Sequence, residues 1–122
     1  MLKNSLFAIT TIARQEMVIE AVVTINADDE IFEGHFPGHP VLPGACMLQI
    51  IKEVLQEALG EQLILKKASS IKFLMQVDPT IINSLKININ YKKIDASVEI
   101  IAAIMAGESA CLKLKAIFVK LT

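Results

Sequence analysis

The sequence has no apolar run long enough to cross a bilayer. Its longest wholly apolar stretches are a few residues, far short of the ~20 that a spanning helix needs. It also lacks a charge excess of one sign: Lys+Arg 12 against Asp+Glu 13 leave a net charge of −1, so the basic footprint of a nucleic-acid binder is missing. Cysteine is scarce, and Cys46 and Cys111 have no metal-ligand spacing. Each sits in an apolar stretch and reads as a buried small hydrophobe, which favours a reducing, cytoplasmic setting. No repeat, low-complexity tract or linker divides the chain, and 122 residues point to a single domain over 1–122. Residues 1–13 hold one lysine and a short apolar run, as a secretory leader would. They are rich in β-branched residues and lack a small-x-small cleavage site, so a first strand explains them better.

What the chain does have is apolar surface. The hydrophobic fraction is 53% and the mean hydropathy +0.52, enough that a second copy is expected to cover part of it. Residues 5–13 and 16–26 read as strands, Asn26 through Asp29 as a turn, and 31–42, with two glycines and two prolines, as an irregular loop. Residues 43–59 read as a helix, with Pro43 and Gly44 at its start and Gly60 at its stop. Its apolar sector is wide, and Gln49, Lys52, Glu53, Gln56 and Glu57 share the remainder, so the helix is mostly enclosed. Four β-type stretches follow, at 62–76, 81–91, 96–105 and 109–121. The last two alternate with period two and are joined by a hairpin at Gly107 and Glu108. The order is strands, one buried helix, then consecutive antiparallel strands. An α+β fold with an antiparallel sheet wrapped around a single central helix, the hot-dog architecture, satisfies it.

The chemistry is concentrated in Glu33 through Gly44. Three prolines and three glycines in these twelve residues fix a loop path that carries His35 into a helix N-terminus. Backbone N–H groups at a helix start can hold a developing negative charge. A histidine beside them is what proton abstraction next to a thioester carbonyl requires. Taken alone, a loop histidine is more often structural. His39 reads as loop surface. The lysines at 66–67, 92–93 and 113 and 115 read as solvated strand edges and turns, or alternatively as a docking surface for an acidic carrier protein.

Phe32 through Gly44 resembles the signature of bacterial 3-hydroxyacyl-acyl carrier protein dehydratases of the FabZ/FabA type. That signature is F-x-G-H-F-P-G-x-P-[VIF]-x-P-G, followed directly by the central helix of a hot-dog fold. Lys72 through Pro79 resembles the family's downstream strand and turn in degenerate form, with Gln76 in place of a proline. The resemblance implies that His35 removes or relays the α-proton and that Gly44 donates its N–H to the thioester carbonyl. It implies that position 49 acts on the departing 3-hydroxyl, with no metal and no organic cofactor beyond the phosphopantetheine of acyl carrier protein. The family has Glu or Asp at that position; this chain has Gln49. An amide cannot give and take a proton near neutral pH, and losing one acid/base group typically costs ~10²–10⁴ in rate.

The resemblance further implies a homodimer or a higher oligomer of dimers, each His35 meeting the partner's Gln49. Phe36 and Pro37 shape the loop, and Ile71, Phe73 and Met75, alternating along one strand, are candidates for lining an acyl tunnel. Glu53, one turn beyond Gln49, is judged too far from the helix start to replace the acid, and the direction of Glu33 is open. The reaction implied is (3R)-hydroxyacyl thioester to trans-2-enoyl thioester plus water, in fatty-acid, polyene-lipid or polyketide-like synthesis. Two alternatives stand beside it: a half-site subunit paired with an acid-bearing homologue, and a hot-dog thioesterase.

Overall fold

The structure, a computed structural model, describes residues 1–34, 36 and 38–121. Its elements in chain order are β1 (Phe7–Gln15), β2 (Val18–Ile25), α1 (Ile31–Gly34), α2 (Gly44–Leu59), β3 (Leu63–Phe73), β4 (Ser84–Ile94), β5 (Ser97–Ala106) and β6 (Ser109–Lys120). The strands form one sheet in the order β1-β2-β4-β5-β6-β3, every pairing antiparallel. The chain leaves β2 through the loop and α2, lays β3 on the far edge, then returns to place β4 beside β2. This is the hot-dog arrangement.

Alternation builds the inner face. Ile19, Ala21, Val23 and Ile25 of β2, Leu85, Ile87 and Ile89 of β4, Val98, Ile100, Ala102 and Ile104 of β5, and Leu112, Leu114, Ala116 and Phe118 of β6 are all buried. Their odd-numbered or even-numbered neighbours point outward, as a pleated strand with one covered face demands. Helix α2 supplies the other side of the core with Met47, Ile50, Ile51, Val54 and Leu55, none more than 2% exposed. Each such side chain contributes roughly 1.5–3 kcal/mol by leaving water. The helix stops where Gly60 turns left-handed at φ +67 and returns its N–H to Gln56 O at 2.8 Å, a backbone path for which glycine has no steric penalty.

Several boundaries shift from the sequence expectation. The loop over 31–42 contains one helical turn, α1, because the Asp29 carboxylate accepts the Ile31 N–H at 2.9 Å and caps it. Strand β3 ends at Phe73 instead of running to 76, and it carries two bulges. Residues 81–83 belong to a turn held on Asp78, whose carbonyl accepts the N–H groups of Ile81 and Ile82, so β4 starts later and runs to Ile94. The hairpin at Gly107 and Glu108 is present, with Gly107 at φ +60.

Candidate active site

The site is organised by the start of α2. Pro43 precedes the helix in extended backbone (φ −62, ψ 145), and its carbonyl accepts the N–H groups of Cys46 and Met47. Among the described residues no carbonyl or side chain accepts the Gly44 N–H. This N–H therefore keeps the full donor capacity of a helix N-terminus, reinforced by the positive end of the helix dipole. Gly44 opens onto a half-open cavity of about 550 Å³, lined chiefly by Phe36, Leu42, Met47, Phe73 and Met75.

Three backbone contacts hold this mouth in place. Phe36 and His39 exchange N–H···O bonds at 3.1 and 2.9 Å around Gly38, which sits at φ +80. Leu42 donates its N–H to Val77 O at 2.8 Å, tying the loop to the segment that follows β3. Val77 is anchored in turn by the next residue. The Asp78 carboxylate accepts the Thr80 hydroxyl at 2.6 Å and the Thr80 N–H at 2.9 Å. These bonds, with a smaller pull from His39, hold Asp78 below its ordinary carboxyl range. His39 is solvent-exposed, in keeping with its reading as loop surface.

Gln49 lies elsewhere. It borders a second, smaller cavity of about 170 Å³ between α2 and the inner faces of β3 and β6, shared with Ala45, Leu48, Ile71, Leu114 and Phe118. The proposed lining residues are thus divided: Phe73 and Met75 join Phe36 and Gly44, while Ile71 joins Gln49. Met75 also stands beyond the end of β3, so the three do not alternate along one strand. Within one chain the described residues do not bring Gly44 and Gln49 to a common cavity. His35 and Pro37 lie outside the described residues.

Glu53 departs most from expectation. The helical wheel places it on the polar sector, yet it is buried at 2% exposure. Its Oε2 accepts the Leu2 N–H at 2.8 Å and Gln49 Nε2–H at 2.9 Å, and its Oε1 accepts the Lys3 N–H at 2.9 Å. A buried carboxylate is tolerated when donors surround it in this way. The carboxylate borders neither cavity. Glu33 is exposed in α1. Cys46, in the first turn of α2, has its thiol pushed up by burial and secondarily by the Asp29 carboxylate, and burial likewise raises Cys111. Neither is poised as a thiolate nucleophile. The lysines at 66–67, 92–93, 113 and 115 are exposed. Lys93 pairs with Glu61 at 3.0 Å.

With this geometry in view, comparisons with known proteins place the chain. Residues 11–110 match the ApeI-like family, described as ApeI dehydratase. The 3-hydroxyacyl-[acyl-carrier-protein] dehydratase FabZ of Ligilactobacillus salivarius is 32% identical over 106 residues, covering 80% of this chain and 73% of that protein. The chain belongs to the ApeI-like, FabZ-related dehydratase family. Among solved structures, the dehydratase heterocomplex ApeI:P from Xenorhabdus doucetiae contains a chain that superposes with a TM-score of 0.73 at 16% identity. The match covers 92% of this chain and 96% of that one. A chain from Bartonella henselae with a thioesterase designation superposes with a TM-score of 0.66 at 16% identity, covering 88% and 92%. At such identities the likeness establishes the fold, which by itself does not choose the reaction.

Proposed function

We propose that this protein acts on (3R)-hydroxyacyl chains held as thioesters on the phosphopantetheine of acyl carrier protein, forming trans-2-enoyl thioester and water. The observation that carries the reading is the Gly44 N–H. Among the described residues it is unclaimed at the start of a 16-residue helix, and it opens onto a largely apolar cavity bordered by Phe36 and Phe73. A thioester carbonyl seated there places developing enolate charge on a preorganised donor. His35, in the same loop, takes the proton from C2, and the C3–O bond breaks as the C2–C3 double bond forms. Gln49 hydrogen-bonds the departing hydroxyl but cannot supply its proton. The imidazolium formed on His35 supplies it, completing water.

In this reading the complete site is assembled from two protomers, each His35 meeting Gln49 of the partner; that Gly44 and Gln49 face different cavities within one chain supports it. Family membership supports the substrate class, with fatty-acid or polyene-type lipid synthesis as its setting. The test is enoyl formation from a 3-hydroxyacyl carrier-protein thioester by wild type and His35→Ala, with free thiol followed in parallel. Enoyl product lost in His35→Ala supports the reading. An equally active His35→Ala protein removes the mechanism, and thiol release without enoyl product would make the protein a thioesterase.

Two observations favour a second reading, a half-site subunit. Position 49 carries an amide where the family carries an acid, and the structurally similar ApeI:P assembly is a heterocomplex. In that case this chain supplies His35 and Gly44 to a site whose acid comes from a homologue. Mass spectrometry of the assembly purified from its native cell separates the two: a stoichiometric acid-bearing paralogue identifies the half-site.

A further inference from the structure

We propose that Glu53 is a positioning residue that locks the orientation of the Gln49 amide, so that Gln49 presents its carbonyl oxygen, an acceptor, to the substrate. This rests on the reading of Gln49 as the residue that meets the substrate's 3-position. A glutamine side chain ends in two chemically opposite groups, an NH₂ donor and a C=O acceptor, and an exposed glutamine turns either one toward a ligand. Gln49 is not free to do so. Its Nε2 donates to Glu53 Oε2 at 2.9 Å, and Glu53 is itself held by the Leu2 and Lys3 N–H groups at 2.8 and 2.9 Å. Among the described residues, the partners of this carboxylate are all N–H donors. Turning the amide over would set a carbonyl oxygen against a carboxylate oxygen of a residue that is 2% exposed, two acceptors with no donor between them in a setting of low polarity. The nitrogen is therefore fixed on the Glu53 side, and Oε1 is the end left to point elsewhere.

The consequence is selectivity for oxidation state. A 3-hydroxyl can donate to Oε1, whereas a 3-oxo group has only lone pairs to offer and faces another acceptor. The locked amide thus favours the 3-hydroxyacyl over the 3-oxoacyl chain. The backbone of the N-terminal residues takes part by fixing Glu53.

The probes are 3-hydroxyoctanoyl and 3-oxooctanoyl pantetheine in amide-linked form, which removes the thioester needed for turnover, titrated calorimetrically against wild type and Glu53→Gln. The isosteric amide lets Gln49 turn either way. Wild type is expected to prefer the hydroxy probe by about tenfold, the value of roughly one hydrogen bond. In Glu53→Gln the preference falls to about twofold or less while the oxo probe binds at least as well as to wild type. A folded variant that keeps the full preference overturns the proposal alone. So does one that weakens both probes equally, which would make Glu53 merely structural. Wild type with no preference sinks the reading of Gln49 and this inference with it. Should Glu53→Gln fail to fold, wild type suffices: the Gln49 side-chain amide protons, read by ¹⁵N-resolved exchange, must exchange more slowly than those of exposed Gln62. Equal rates overturn the proposal.

Discussion

The ring of Phe73 lies against the Cα of Gly44 so closely that a Cβ added there would stand 2.7 Å from Phe73 Cε1 and 2.8 Å from Cζ. The start of α2 thus uses glycine for access to a backbone N–H that no described residue claims. Gly44→Ala must push the ring aside. Phe73 is 56% exposed, so it can swing outward, and the stability cost should stay near ~1 kcal/mol or less. In a Phe73→Ala background the same change meets no ring. There it should be neutral or stabilising by up to about 1 kcal/mol, since alanine is the better helix former. A double-mutant cycle by denaturant unfolding should therefore show a coupling of about 0.5 kcal/mol or more. Strict additivity would mean that the two residues do not interact.

The turn behind the mouth of the cavity should be acid-sensitive. Asp78 is held below its ordinary range first by the Thr80 hydroxyl, then by the Thr80 N–H, with His39 contributing least. A carboxyl whose folded pKa is depressed stabilises the fold above its unfolded pKa, near ~3.9, and loses that contribution as pH falls through the folded value. Thr80→Val removes the larger contact and keeps the backbone one. An NMR titration of Asp78 should then move up toward the ordinary range while Leu42 N–H keeps its bond to Val77 O. An unmoved Asp78 titration would show that the hydroxyl is not what holds it down.

Both cysteines should be silent in the folded protein. Cys46 is 7% exposed and Cys111 fully buried, and burial raises both thiols, which depletes the thiolate that reacts. A disulfide reagent at neutral pH should label neither thiol until denaturant is added, and then both. Rapid labelling of Cys46 in the native state would mean that the first turn of α2 opens readily.

The sheet's inner face is readable in the sequence because alternation at period two is a local property: Val98, Ile100, Ala102 and Ile104 announce β5 without reference to anything distant. The start and stop of α2 are local too, written in Pro43, Gly44 and Gly60. A helical wheel misplaces Glu53 on the solvated sector because what covers it comes from about fifty residues away, the backbone of Leu2 and Lys3, which no wheel contains. The end of β3 escapes for a similar reason. Leu74 still donates its N–H to Cys111 O at 2.9 Å, but the ladder stops at Phe73, and the two bulges leave no trace in the residue pattern. For the site, the Phe32–Gly44 motif points to the helix start that opens on the larger cavity. The division of Ile71 from Phe73 and Met75 between two cavities depends on how far β3 reaches, and that is a tertiary fact.

Restoring a carboxyl at position 49 gives a prediction shaped by the same helix. In Gln49→Glu the new side chain stands one turn before Glu53, where the native amide nitrogen lies 2.9 Å from Glu53 Oε2. Two ionised carboxylates at that separation repel each other, and this pushes the titration of the introduced carboxyl upward. The Leu2 and Lys3 N–H groups donate to Glu53 and not to position 49, so the introduced carboxyl is the one left to take up a proton. A carboxyl with its titration raised can act as a general acid, so enoyl formation should be preserved or raised, by up to ~10²-fold if wild type is limited by the missing acid. The rate should fall as pH rises through the raised value and the acid is lost. Stability should follow the same direction. The folded state binds more protons than the unfolded one, so the variant loses stability as pH climbs from about 4 through the raised value. A pH–rate profile and urea unfolding at several pH values check both limbs. A dead Gln49→Glu protein, normally folded, would show that the amide itself is required at this position.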